Sequence, residues 1–218
     1  MNARTSSHST ALDHRALRSR RHFARAVPVA ALLVLAASLP AAADRGPGCP
    51  TPPPVPANLE VPAGHRPYLA VHATGTQNYV CLPGASSTGL VWTFYGPQAT
   101  GFDRREEQVM THYLSANPVE GGTARPTWQH SRDTSAVWAR PIASSTDPDY
   151  VEPGAVAWLL LEAVGTENGP NGGRRLAPTT YIQRVETSGG VAPADGCATL
   201  GAKLFVPYET DYYFFRAE

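Results

Sequence analysis

His112, Trp128, Gln129, Asp133 and Arg184 are the side chains whose types could do chemistry together, and they fall in two short polar-aromatic stretches and one basic position. A neutral imidazole such as His112 is a usual metal ligand and a usual general base near neutral pH. It sits in the middle of Gln108–Leu114, where Val109, Thr111 and Tyr113 alternate with Met110, His112 and Leu114. Pro126-Thr127-Trp128-Gln129-His130, followed by Asp133, mixes an indole with amide and carboxylate groups. Such a mixture suits a sugar platform, in which the indole face meets C–H groups and neighbouring amides bind hydroxyls. A Trp packed in the core with a turn after it is the plainer reading, because large aromatics are mostly buried. Arg184 could grip a carboxylate through two parallel hydrogen bonds. The simpler expectation is an internal salt bridge to Asp211 or Asp103.

Several catalytic scaffolds are not signalled. The chain has no G-x-G-x-x-G, no G-x-x-x-x-G-K-[ST], no G-x-S-x-G and no H-E-x-x-H. It has no C-x-x-C, and its three cysteines are too scattered to read as a zinc cage, so no metal site is expected from spacing. Thr187-Ser188-Gly189-Gly190 lacks the lysine and following helix of a phosphate loop. No cofactor is identified by any of these patterns.

The elements that must hold these residues are short and strand-like. Arg66–Ala73 and Gly75–Leu82 are apolar or aromatic with partial alternation, and Thr74-Gly75 between them suggests a tight turn. Gly89–Tyr95 runs into Gly96-Pro97, a strong breaker. Further runs are Gln108–Leu114, Pro126–His130, Ser135–Arg140, Ala155–Val164, Thr179–Thr187, Lys203–Tyr208 and Asp211–Phe215. Ala155–Val164 has helix-compatible leucines, but Pro153-Gly154 and Gly165 bracket it and a buried strand fits its length better. About ten short strands with turn signals between them predict an all-β single domain, a β-sandwich or closed β-barrel with little helix.

Ahead of this domain, Ser19-Arg20-Arg21-His22-Phe23-Ala24-Arg25 looks like a twin-arginine export signal. Ala26 to Leu39 is modestly apolar, and Ala41-Ala42-Ala43 reads as a small-residue cleavage site. The expected division is a signal over 1–43, a proline-rich tether over 44–57 and the domain over 58–218. Export would place the protein in the periplasm or outside the cell. The apolar run is shorter than the roughly 20 residues a spanning helix needs, so no membrane span is expected in the mature chain.

Residues 1–43 hold six of the eighteen basic side chains and one of the eighteen acidic ones, so the remainder carries twelve against seventeen, a net charge of −5. A mildly acidic surface without a basic block argues against a nucleic-acid partner. All three cysteines, Cys49, Cys81 and Cys197, follow the cleavage site, where a disulfide can persist. One bridge is expected, Cys81–Cys197 or Cys49–Cys197, with one thiol left over.

Six ordered segments carry a family resemblance: Gly75–Cys81, Thr111–Tyr113, Pro126–Gln129, Trp158–Leu161, Tyr181–Val185 with Thr187–Gly190, and Val206–Tyr208 with Asp211–Tyr213. From about Leu59 to Phe215 the chain resembles the secreted family known as Domain of Unknown Function 3455, found in bacteria and fungi. The resemblance implies no activity. Some fungal relatives carry a malate dehydrogenase label, which the missing dinucleotide fingerprint leaves without support here. It implies that Gln77, Tyr79, His112, Trp128, Asp133, Gln183, Arg184, Tyr208 and Asp211 are recurring positions, and that Cys81 and Cys197 form the bridge. Cys49 departs from the pattern.

The reading these features support is an exported binding or interaction module for a carbohydrate or other small molecule, with candidate ligand residues His112, Trp128, Gln129, Asp133, Arg184 and Tyr208. The alternative is a cofactor- or metal-dependent enzyme using His112, Asp133 and Arg184.

Overall fold

The protein is described by a computed structural model over residues 50–85 and 89–218. Eight antiparallel strands form a closed barrel in chain order. They are β1 (His65–Pro83), β2 (Leu90–Phe102), β3 (Gln108–Asn117), β4 (Thr123–His130), β5 (Ala136–Ser145), β6 (Trp158–Glu167), β7 (Tyr181–Gly189) and β8 (Lys203–Ala217). β1 pairs with β8 from His65↔Ala217 to Val80↔Lys203, which closes the sheet and removes its edges. Among the described residues, helix is confined to two 3-10 turns, Ala57–Leu59 and Pro118–Glu120.

The expectation of about ten strands becomes eight because two expected breaks do not occur. Thr74-Gly75 is not a turn: β1 runs straight through it, with Gly75 opposite Ala99 on β2 and Tyr208 on β8. A Cβ on Gly75 would lie 2.2 Å from the Gln98 carbonyl oxygen, so the missing side chain serves a close approach between strands. Lys203–Tyr208 and Asp211–Phe215 likewise join into β8, where Thr210 Oγ1 donates to the Val185 carbonyl at 2.7 Å. Gly96-Pro97 does not end β2 either. Tyr79 faces Phe94 and Asn78 faces Gly96, so Tyr95 is the extra residue of a bulge, and Gly96 absorbs it with φ 144°.

Alternation along the strands sorts side chains between the lumen and the outside. Leu69, Val71, Met110, Val137, Leu161, Ile182 and Phe214 fill the interior. A second cluster, Leu59, Val151, Trp158, Leu160 and Val185, is joined by Val55, Val61 and Tyr181. The proline-rich lead therefore does have a packing face from residue 50 onward, because Pro50 and Pro56 are buried and Val55 packs against this cluster.

Cys81 and Cys197 are bonded, with Cα atoms 5.8 Å apart. The bridge closes a separation of 116 residues, which the chain-entropy model values at about 4–5 kcal/mol. Cys49, the export signal and the cleavage site lie outside the described residues. No helix among the described residues is long and apolar enough to cross a membrane.

Candidate functional site

The alternation that carries His112, Trp128 and Arg184 on three different strands turns all three toward one cavity of about 440 Å³. Every strand contributes to its wall, through Gln77 and Tyr79, Phe94 and Pro97, His112, Trp128, Pro141, Leu159 and Leu161, Arg184 and Tyr212. Thr146, Ala155, Val156, Ala157 and Val191 line it from the β5–β6 connection and the segment after β7. The cavity therefore sits at the end of the barrel where β1, β3, β5 and β7 finish. Eight strands enclose an interior just wide enough for side chains or for one small ligand. Here the aliphatic and aromatic core fills one end and leaves the other open.

His112 and Trp128 are direct cross-strand partners. Their rings stack 4.2 Å apart at 14°, and Tyr212 meets both edge-on. His112 Nδ1 is 2.9 Å from the Thr127 carbonyl oxygen, which can only accept, so Nδ1 carries the proton and Nε2 is the lone-pair nitrogen. Burial pushes its pKa down to about 3, against a smaller opposing effect of that hydrogen bond. The imidazole is therefore neutral near pH 7 and a weak base.

Arg184 donates from Nε and Nη2 to the Ala157 carbonyl oxygen at 3.2 and 2.6 Å. The expected salt bridge is absent. Asp211 pairs with His72 Nδ1 at 2.8 Å, and Asp103 accepts from the amides of Arg105 and Glu107 in its own turn. Those aspartates face away from the lumen, so the guanidinium meets a carbonyl where a carboxylate was expected. One buried donor of the same wall, Trp128 Nε1, has no hydrogen-bond partner, while Gln77 reaches the Tyr208 hydroxyl. Burial also pushes the Tyr212 hydroxyl well above its ordinary pKa, so it stays protonated.

Asp133 and Gln129 do not join this group. Asp133 lies in the β4–β5 turn, at the end of the barrel opposite the cavity. Its carboxylate accepts from Ser135 N and Oγ at 3.1 and 2.7 Å and from Arg175 N at 2.7 Å. Burial opposes its charge, but these hydrogen bonds outweigh it and lower the pKa. The residue is a latch. Ser135 Oγ in turn accepts from Leu176 N at 3.0 Å, and Leu176 is fully buried as the plug of that end. The 168–175 loop passes so close to this latch that Cβ atoms on Gly169 and Gly173 would overlap the Asp133 carbonyl oxygen.

Gln129 follows Trp128 on the strand and points the other way, where its Oε1 accepts from Tyr113 at 3.4 Å. The Trp128–Gln129 sugar platform therefore does not form: the indole is 1% exposed and stacked on an imidazole. Tyr208 stands behind the site, with its hydroxyl 3.4 Å from that of Tyr212. The trio of His112, Asp133 and Arg184 is split between the two ends. Among the described residues, no three His, Cys, Asp or Glu side chains are grouped to hold a metal ion.

Gln77 and Tyr79 were singled out in the sequence only through the family resemblance. Phe94, Pro97, Pro141 and Leu159 carried no signal beyond being strand residues, since a lumen wall is made by pairings that sequence spacing does not record.

Fold and cavity define a closed, eight-stranded, antiparallel up-and-down barrel with a pocket in its lumen. The family model for a protein of unknown function, DUF3455, matches residues 62–216, which takes in all eight strands almost completely. The chain belongs to that family. No curated protein and no solved structure matches it.

Proposed function

We propose that the chain is an exported binding module that holds a small, largely apolar molecule in the barrel lumen. The observation that carries this reading is the cavity: about 440 Å³, walled by all eight strands, and mostly apolar with a few polar groups. Pockets for small ligands have this size and this mixture. An unpaired buried donor, Trp128 Nε1, supports it further. A buried donor without a partner costs roughly 1–3 kcal/mol, a cost that a ligand acceptor would relieve. Export is supported by the arginine pair and apolar run at the N-terminus, and by a disulfide of the kind that persists in oxidising compartments.

The enzyme reading finds less support, since Asp133 is remote from His112 and His112 is a weak base.

The neutral fluorophore N-phenyl-1-naphthylamine tests the lumen as the site. Its emission should rise to saturation with one equivalent on the purified protein. Leu159→Trp, which fills the cavity, should abolish the rise, and Arg132→Ala in the exposed β4–β5 turn at the opposite end should leave it unchanged. A rise that survives Leu159→Trp in a folded variant would overturn the lumen as the binding site.

A further inference from the structure

Among the described residues, seventeen line the cavity, and of these Arg184 supplies the only charge and none is a carboxylate. Arg184 is half-buried, and a charge partly withdrawn from water ordinarily has a partner of opposite sign, because desolvation without one is costly. The acceptors that Arg184 reaches are neutral: Ala157 O takes hydrogen bonds from Nε and Nη2, and the Tyr212 hydroxyl also accepts from the guanidinium. A guanidinium has five N–H donors. Nη1 and the second hydrogen of Nη2 are not taken up by Ala157. The surrounding titratable groups do not supply the missing negative charge. His112 is neutral, and burial raises the hydroxyl pKa values of Tyr79, Tyr208 and Tyr212.

The rest of the wall is mostly apolar, with Gln77, His112 and Thr146 as its other polar side chains. Phe94, Tyr79, Trp128 and Tyr212 present aromatic rings, and Pro97 and Pro141 present ring faces without a backbone N–H. Tyr79 spends its hydroxyl on the Gly190 carbonyl at 2.7 Å, which leaves its ring as the contact surface. A cation would be repelled by Arg184, and a neutral molecule would leave the guanidinium without a counter-charge. A polyol would find few acceptors and donors along the apolar wall.

We propose that the ligand of the lumen is an aromatic carboxylic acid, bound as its carboxylate with the two oxygens on Arg184 and its ring between the aromatic and proline side chains. This rests on the lumen being the ligand site. It adds the class of molecule that the site selects and the residue that selects it. Planar, two-point recognition of a carboxylate is what a guanidinium provides and an ammonium does not.

The test compares two probes of nearly the same shape, 2-naphthoic acid and its neutral amide 2-naphthamide, by titration calorimetry at pH 7.5 on the purified protein. The wild-type chain should bind the acid at least about tenfold more tightly, as expected for charge-assisted hydrogen bonds in a sheltered site. In Arg184→Gln that preference should vanish while the amide still binds within about threefold of its wild-type affinity. Arg184→Lys should keep part of the preference. Equal wild-type affinities for acid and amide would overturn the carboxylate proposal and leave the lumen site standing. Binding of neither probe would overturn both. A preference that persists in folded Arg184→Gln would place the carboxylate elsewhere and overturn the assignment to Arg184. The wild-type comparison decides the class of ligand even if Arg184→Gln does not fold.

Discussion

The two ends of the barrel are built from the same eight strands and treat their interior in opposite ways. At the end where β1 begins, Leu176 is driven into the lumen and held there by a relay from its own amide to Ser135 Oγ and on to Asp133. At the other end, the lumen stays open and its one charge meets no counter-charge. The outer surfaces differ in the same sense. Leu82, Val91, Phe94, Tyr95, Val191, Leu200 and Phe205 are exposed large apolar residues, and they lie at the open end. Among the described residues, no exposed large apolar side chain lies at the latched end. One end ties its plug down through hydrogen bonds and reads as the part that keeps the barrel folded. The other retains unmet polar and apolar surface, which is what a binding end requires.

If stability resides at the latched end, the largest effect should come from emptying it. Phe214→Ala, at a fully buried position in the core cluster, should destabilise by about 3–5 kcal/mol, the usual cost of removing a buried phenyl ring. Phe94→Ala at the open end, where the ring is 47% exposed, should cost less than about 1 kcal/mol. Urea unfolding of the two variants beside wild type measures the contrast. Similar losses would abolish the distinction between the ends.

His112 lies where the two regions meet and gives the comparison a pH signature. Its folded pKa of about 3 lies below the unfolded value near 6.5, so below that value the unfolded chain takes up a proton that the folded chain refuses. The neutral site is fully stabilising above about pH 6.5, and the advantage declines as the pH falls toward 3. The slope contributed by this residue should approach about 1.4 kcal/mol per pH unit between pH 4 and 6. His112→Phe, which can keep the stack on Trp128, should remove that part of the slope. Unfolding free energies at several pH values would show it, and an unchanged slope would mean that His112 titrates normally.

Asp133→Ala should have a smaller effect, about 1–3 kcal/mol, through the donors it would orphan at Ser135 and Arg175. It should also speed hydrogen exchange in the 168–175 loop and leave exchange around the open end unchanged. Because the folded pKa of Asp133 is lowered, its contribution is present above the unfolded value near 3.9 and fades as the pH falls through the folded one. The Asp133 contribution begins to fade only below about pH 3.9, whereas most of the His112 decline falls above that value, so the two are distinguished between about pH 4 and 6.5.

Much of the fold was legible residue by residue. The alternation in Gln108–Leu114 and Thr179–Thr187 marked β3 and β7, and the opposite facing of Gln183 and Arg184 follows from the same period of two. Gln183 donates to the Leu59 carbonyl at the outer cluster, while Arg184 lines the lumen. Locally ambiguous residues misled. Gly75 has the composition of a turn and the position of a close contact, and only the strand beside it reveals the difference. Asp133 and Trp128 are five residues apart, yet the turn after His130 sends one to the latch and leaves the other in the lumen wall.

The sequence by itself determined the all-β class, most of the strand segments and the face on which each side chain lies. Those properties depend on a repeat of two residues, on glycine and proline at breaks, and on apolar composition, all of which act over a few positions. Closure of β1 on β8, the bonding of Cys81 to Cys197, and the meeting of His112, Trp128 and Arg184 were decided by the tertiary structure. Strand pairing joins residues more than a hundred positions apart. Which face becomes a lumen is settled only when the last strand finds the first.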